Sequence, residues 1–203
     1  MNVSPERKTQ AERREATREA LIVAARKLFT ERGYEDVGTE EVVRAAGVTR
    51  GALYHHFGDK ASLLEAVYQR IEAESTERVA RIVLGSELHS PIEAMKAGVE
   101  AFLEECAKPE LRQIALHDAP AVLGWERWRD IGAANGLGLI EASLAAAIEA
   151  GEIRDVPVKP TAHLLMGALD EAAMLLARDE RPGARAEVTA VLVALLDGFA
   201  VER

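Results

Sequence analysis

Apolar residues recur along this chain at intervals of three and four, the period of a helix with one buried face. Leu21, Ala24, Ala25, Leu28 and Phe29 fall at i, i+3, i+4, i+7 and i+8, and Gly33 stops that helix. Val42, Val43 and Ala46 give a short second helix its apolar side. Thr39 is placed to cap it and Gly47 to end it in a left-handed conformation. Thr49 then caps a third helix, with Leu53 and Phe57 inward. Gly58-Asp59 turns the chain, Asp59 caps the next helix, and Lys60 opens it. Leu63, Leu64, Val67, Tyr68 and Ile71 carry that helix toward Leu84, where Gly85 ends it.

The second half continues in the same period. Ser90 as N-cap and Pro91 at the first helical position restart the chain. Ile92, Met95, Val99, Phe102 and Cys106 then share one face. A short helical run from Pro109 to His117-Asp118 is expected to break at Pro120. Trp125 and Trp128 share the face of a following helix that Leu139, Ile140, Leu144 and Ile148 extend. Gly132, Gly136 and Gly138 predict a bend or a close helix contact within it. Gly151 and the linker VPVKP separate this stretch from two last helices, Thr161 to Ala177 and Val188 to Phe199. The fold class that results is all-α.

These last two helices carry more apolar positions than one buried stripe requires. They are expected to pair with their symmetry mates as a four-helix bundle, through Leu165, Leu169, Ala172 and Leu176 on one and Val188, Leu192, Leu195, Leu196 and Phe199 on the other. The competing expectation is that the monomer consumes these leucines itself.

Composition narrows the class. At 203 residues, with 48% hydrophobic and 29% charged, the chain can bury a core and carries no signature of disorder. No uninterrupted apolar run reaches the ~18 residues of a membrane span, and MNVSPERKTQ holds no apolar signal core. Residues 1–12 read as a polar tail. The lone Cys106 excludes an intrachain disulfide, and a cytoplasmic location is expected. Net charge is −9, distributed unevenly: residues 1–60 hold 11 Lys and Arg against 10 Asp and Glu, the remainder 14 against 24. The acidic excess lies outside the first sixty residues, so contact of that part with phosphate is permitted.

Two short helices joined by a glycine turn make a helix-turn-helix pattern, which an ordinary helical hairpin also fits. On the second, Arg50 can meet phosphates or base edges, Tyr54, His55 and His56 can hydrogen-bond, and Gly51 and Ala52 let the backbone approach a duplex. The stretch from Thr17 to Ala66 decides between the two. It contains Ala45, Ala46-Gly47-Val48-Thr49-Arg50-Gly51, Leu53-Tyr54-His55-His56-Phe57, Lys60 and Leu63-Leu64, and in it the chain resembles the TetR family of transcriptional regulators.

The resemblance implies a DNA-binding head at residues 1–58, a ligand-binding and dimerisation body at 59–203, and a homodimer on a palindromic operator in double-stranded DNA. It further implies that the helices beyond the third enclose a pocket for a small organic effector, whose binding shifts the separation of two heads. Thr39, Thr49, Arg50, Gly51, Ala52, Tyr54, His55, His56 and Lys60 are the DNA-contact candidates, with His56 at the position that meets the DNA backbone in relatives. Arg13, Arg14 and Arg18 can touch flanking phosphates or stay solvated. Glu40 departs from relatives with a basic residue there and puts a second phosphate clamp in doubt.

Met95, Phe102, Cys106, His117, Trp125, Trp128 and Met166 are candidate pocket residues, each equally readable as core. Few basic residues lie on the apolar faces of residues 92–148, which argues against a strongly anionic ligand. No phosphate-cradling glycine loop, HExxH, GxSxG or cysteine pair is present, so neither an enzyme nor a cofactor is expected. His89, His117 and His163 are too scattered to call a metal site. The alternative functional class is a small-molecule binding protein whose head is structural only.

Overall fold

A computed structural model describes residues 9–85, 90–179 and 181–201; His89 lies outside them. The described residues form ten consecutive helical elements, and the chain divides into two compact units, Met1–Tyr68 and Gln69–Arg203.

In the first unit, α1 (Gln10–Arg32), α2 (Thr39–Ala46) and α3 (Arg50–Phe57) precede the start of α4 (Lys60–Gly85). The polar tail expected through residue 12 stops earlier. Thr9 and Glu12 form a reciprocal capping box, with Glu12 N–H donating to Thr9 Oγ1 at 3.2 Å and Thr9 N–H to Glu12 Oε2 at 2.6 Å. A second correction concerns Thr39, which is the first helical residue of α2 rather than its cap. Gly38 takes the extended cap conformation, and its N–H donates to the Glu41 carboxylate at 3.2 Å. Thr49 does cap α3, accepting from Ala52 N–H at 3.3 Å, and Asp59 accepts from Ser62 N–H at 2.7 Å. Gly47 turns the chain at φ 66°, a region glycine enters without a Cβ penalty. Leu21, Ile22, Ala25, Phe29, Val37, Val42, Val43, Leu53, Leu63, Leu64, Val67 and Tyr68 are buried here. The unit therefore takes in the first turns of α4. Val48 and Phe57, expected in this core, are only half-buried.

The second unit holds the rest of α4, then α5 (Pro91–Cys106), a π-helix (Leu111–Asp118), α6 (Ala119–Leu123), α7 (Trp125–Glu149), α8 (Val158–Arg178) and α9 (Ala184–Asp197). Ser90 caps α5 and also donates to Glu152 Oε2 at 2.9 Å, tying the start of that helix to the end of α7. Pro120 does not break the chain as expected. A proline ring collides with the carbonyl four residues back in α geometry, and the widened π turn before it accommodates the ring, with Ala119 N–H bonding Ile114 O. α7 stays one continuous helix through its glycines. It is long and apolar enough by composition to cross a bilayer, at mean hydropathy 1.5, and in the body it packs against α5 and α8. α8 begins at Val158, taking in most of the expected linker. Phe199 lies beyond α9, in a terminal segment that pairs with Ile153 through Ala200.

Packing decides which side of α8 and α9 faces in. Ala172, Leu192 and Leu196 are buried in the body core, and Leu165, Leu169, Leu176, Val188 and Phe199 pack against it. Of the nine residues expected at a dimer interface, Leu195 alone is an exposed large side chain. Ala172, Leu192 and Leu196 are thus consumed inside the single chain, where α5 packs on both helices and α7 on α8, and the other five are partly buried. The apolar residues left on the outside are Leu164, Leu175, Val191 and Leu195.

Candidate functional site

α3 spends one fully buried residue, Leu53, on the fold. Thr49, Arg50, Gly51, Tyr54 and His55 are exposed, and Ala52 and His56 are half-buried. Arg50 and Tyr54, one turn apart, stand on the same face. The Arg50 guanidinium donates to Tyr54 Oη at 3.4 Å and lies 5.5 Å from its ring centroid. Glu40, across the turn on α2, ion-pairs with Arg50 at 3.0 Å. The Tyr54 phenol is held below its ordinary pKa by the Arg50 hydrogen bond and then by one from Thr39, so Thr39 belongs to this face although it caps nothing. Arg50 is raised in turn, first by Tyr54 and then by Glu40.

The other candidates sit around this pair. His56 is pushed below the ordinary histidine range by burial, then by His55, Arg14 and Arg18, so at neutral pH it offers a neutral imidazole. Arg18 lies over the Phe57 ring at 5.4 Å. Lys60 has its ammonium 3.9 Å from the Tyr34 ring centroid, a cation–π contact made by the same charged group that was expected to meet phosphate. A Cβ added at Gly51 would meet nothing nearer than Thr49 Oγ1 at 3.9 Å, so packing does not demand glycine there. The role of Glu40 was not legible in sequence, because only the turn between α2 and α3 brings it to Arg50.

The pocket candidates separate. Met95, Cys106, Trp128 and Met166 are buried and Phe102 is half-buried, whereas Trp125 is exposed. The Trp128 indole donates to Ala115 O at 2.7 Å, and its ring centroid lies 4.9 Å from that of Trp125. His117 leaves the interior set: the π turn carries its side chain outward, where it remains 76% exposed beside Asp118 at 3.0 Å. A cleft of about 180 Å³ opens between α5, α8 and the start of α9 and is bordered by Cys106, Arg112, Leu176, Arg181, Ala184 and Arg185. Its arginines are engaged: Arg112 with Ala177 O at 3.3 Å, Arg181 with Asp179 at 2.8 Å and Arg185 with Glu104 at 3.9 Å.

Two acids of the body, Asp170 and Glu72, went unmarked in the sequence. Asp170 on α8 is pushed up to about 6 by burial, against the pull of Arg129, whose guanidinium lies 3.2 Å away. Glu72 on α4 is pushed up to about 7, by burial and then by the charge of Asp170. Burial, then Glu72 and Asp170, raises the Cys106 thiol, which makes it inert as a nucleophile. A signal for Asp170 did exist. It sits in the buried row Ala162, Met166, Ala173 at helical spacing, where an acid is out of place. Among the described residues no group of three or more His, Cys, Asp or Glu can hold a metal ion.

Residues 21–67 match the profile of bacterial regulatory proteins of the tetR family, and residues 92–199 that of the tetracyclin repressor-like C-terminal domain. The chain is 27% identical over 158 residues to the transposon Tn10 TetC protein of Escherichia coli, covering 78% of this chain and 79% of that one. Its fold is similar to a TetR-family transcriptional regulator from Pectobacterium atrosepticum, at TM-score 0.84 and 37% identity over 96% of this chain and 99% of that one. It is also similar in fold to RolR solved with its ligand resorcinol, at TM-score 0.74 and 19% identity over 92% and 90%. With the helix-turn-helix head, the helical body and both profiles in agreement, the chain belongs to the TetR family of transcriptional regulators, DNA-binding proteins and not enzymes.

Proposed function

We propose that this chain is a ligand-responsive repressor: a homodimer in the cytoplasm binds a palindromic operator through α3, and a small organic effector bound in the body releases it. The observation that carries the reading is the exposed Arg50–Tyr54 face of α3, backed by Leu53 and set beside the unfilled backbone at Gly51. An arginine beside a small-residue stretch suits a guanine edge in the major groove, and the open backbone suits close approach to the duplex. The head of residues 1–58 supplies this contact. The body of residues 59–203 supplies pairing and effector binding, as the resorcinol complex of RolR illustrates for a protein of similar fold. Two heads must reach successive major grooves, roughly 34 Å apart or a multiple of it, which calls for a two-fold body.

Salt-dependent gel shifts against the region upstream of its own gene test the reading. Arg50→Ala is expected to weaken the cognate site by roughly 5–150-fold and to relax specificity there. Lys60→Ala is expected to weaken all sequences alike and to lower the salt slope by about 1. Unchanged operator affinity in both folded variants refutes the assignment and leaves a small-molecule binding protein with a structural head.

A further inference from the structure

α2 opens with two neighbouring acids that serve different ends. Glu41 belongs to the fold: its carboxylate accepts from Gly38 N–H at 3.2 Å and from the Arg32 guanidinium at 2.7 Å. Glu40 takes part in neither contact. Its carboxylate reaches across the turn at Gly47 and ion-pairs with Arg50 at 3.0 Å, while the same guanidinium donates to Tyr54 Oη at 3.4 Å. The Arg50 and Glu40 side chains stay 62% and 64% exposed. An ion pair so open to water adds little to stability, so the fold gives no reason for an acid at this place.

The reading face gives one. Arg50 is the one arginine of α3, and the turn sets a carboxylate directly beside it. An ionised carboxylate only accepts hydrogen bonds, so phosphate and the acceptor edges of guanine and thymine repel it. A base step can satisfy both partners at once: guanine offers N7 and O6 to the guanidinium, and cytosine offers its N4 amino group to the carboxylate. Adenine also presents a donor in the major groove, but with the N7 acceptor beside it, whereas cytosine presents its donor alone. Bases along one strand are spaced about 3.4 Å apart, close to the 3.0 Å between the two side-chain groups.

We propose that Glu40 is a specificity-determining residue of the operator contact. It accepts from the N4 amino group of a cytosine in the base pair next to the guanine that Arg50 reads, and on other sequences it holds Arg50 away from phosphates. The proposal rests on the reading of α3 as the operator-contacting helix and adds a second base, read from α2. Glu40 therefore does more than remove a phosphate clamp.

The full-length protein is offered a duplex pool randomised within the operator fragment upstream of its own gene. Bound sequences are read for wild type, Arg50→Ala, Glu40→Gln and Glu40→Ala. The position at which Arg50→Ala loses guanine marks the arginine contact. At the neighbouring pair wild type is expected to prefer cytosine by about 5–150-fold. Glu40→Gln is expected to move that preference to adenine, whose N6 and N7 match a side-chain amide, and Glu40→Ala to reduce it to about twofold or less. On random duplex Glu40→Ala is expected to steepen the salt slope by about 1 for each head, because Arg50 can then take a phosphate.

Melting temperatures of both Glu40 variants are expected within about 2 °C of wild type. Wild type titrated against the four duplexes that differ only at the neighbouring pair repeats the test without a variant. A cytosine preference that is absent there, or one that survives Glu40→Gln, overturns the proposal. So does a Glu40→Ala variant that binds every duplex more tightly with its base preference unchanged, since Glu40 then only repels phosphate. If Arg50→Ala loses guanine while both Glu40 variants keep the wild-type preference, this proposal fails and the reading of α3 stands. If Arg50→Ala leaves both affinity and base preference unchanged, the reading of α3 itself fails.

Discussion

Replacing Val191 and Leu195 together by glutamate tests the two-fold body most directly. Leu164, Leu175, Val191 and Leu195 remain 76%, 49%, 62% and 48% exposed in the single chain. That is the surface of a little over two whole side chains on each protomer. Fully burying one such side chain contributes about 1.5–3 kcal/mol, so covering this set on both protomers contributes roughly 7–14 kcal/mol before costs. Association itself costs about 4–15 kcal/mol, which makes this set necessary and leaves little surplus. Ala190 and Ala194 are also exposed on α9 and allow a second helix to come close. The double variant removes about half of the apolar set and places two carboxylates per protomer where water would be expelled. A loss of about 3–7 kcal/mol follows, more than 100-fold in dimer affinity. Sedimentation at micromolar concentration is expected to show a folded monomer, with circular dichroism unchanged and operator binding lost. Leu192→Ala is the control. Leu192 is 6% exposed and lies in the body core, so this change is expected to lower folding stability by about 2–5 kcal/mol while the folded fraction still pairs. A wild-type chain that sediments as a monomer, or a double variant that stays dimeric, refutes the placement.

Two further outcomes follow from the body. Glu72 and Asp170 have their pKa raised by burial from 4.5 to about 7 and from 3.8 to about 6, so the folded chain holds these protons more tightly than the unfolded one. The penalty for ionising them is absent below about pH 4, grows as pH rises, and is complete above about pH 7, at roughly 3 kcal/mol each. Urea midpoints are therefore expected to fall between pH 5.5 and pH 8, and Glu72→Gln to flatten that fall; an unflattened profile would remove Glu72 as its source. Gly98→Ala would bring a Cβ to 2.8 Å from Val83 Cγ2, and overpacking of this kind costs about 1–3 kcal/mol. Adding Val83→Ala is expected to restore part of the melting temperature, and a double variant no better than Gly98→Ala would locate the strain elsewhere.

Neighbours along the chain were enough to set the caps, the turns and the reading helix. Capping is settled within three or four residues, so Thr49, Asp59 and Ser90 were readable as helix starts, and Gly47 as a turn that needs φ above zero. The run through Thr49, Arg50 and Tyr54 to Phe57 likewise carried the family and the reading face of α3 in one contiguous stretch. Gly38 displaced Thr39 as a cap because the Glu41 side chain took up the Gly38 N–H, a choice among several acceptable local arrangements. Other features depend on helices distant in the chain. α8 and α9 are apolar nearly all round, so their period defines no single inward face; α5 and α7 selected it by covering one side, which left Leu164 and Val191 rather than Leu192 and Leu196 on the outside. Glu40 meets Arg50, and Glu72 comes under the charge of Asp170, only because separate helices were folded together. Helical periodicity states that a residue lies on a face, whereas the charge and burial it experiences there depend on what the rest of the chain brings to that face.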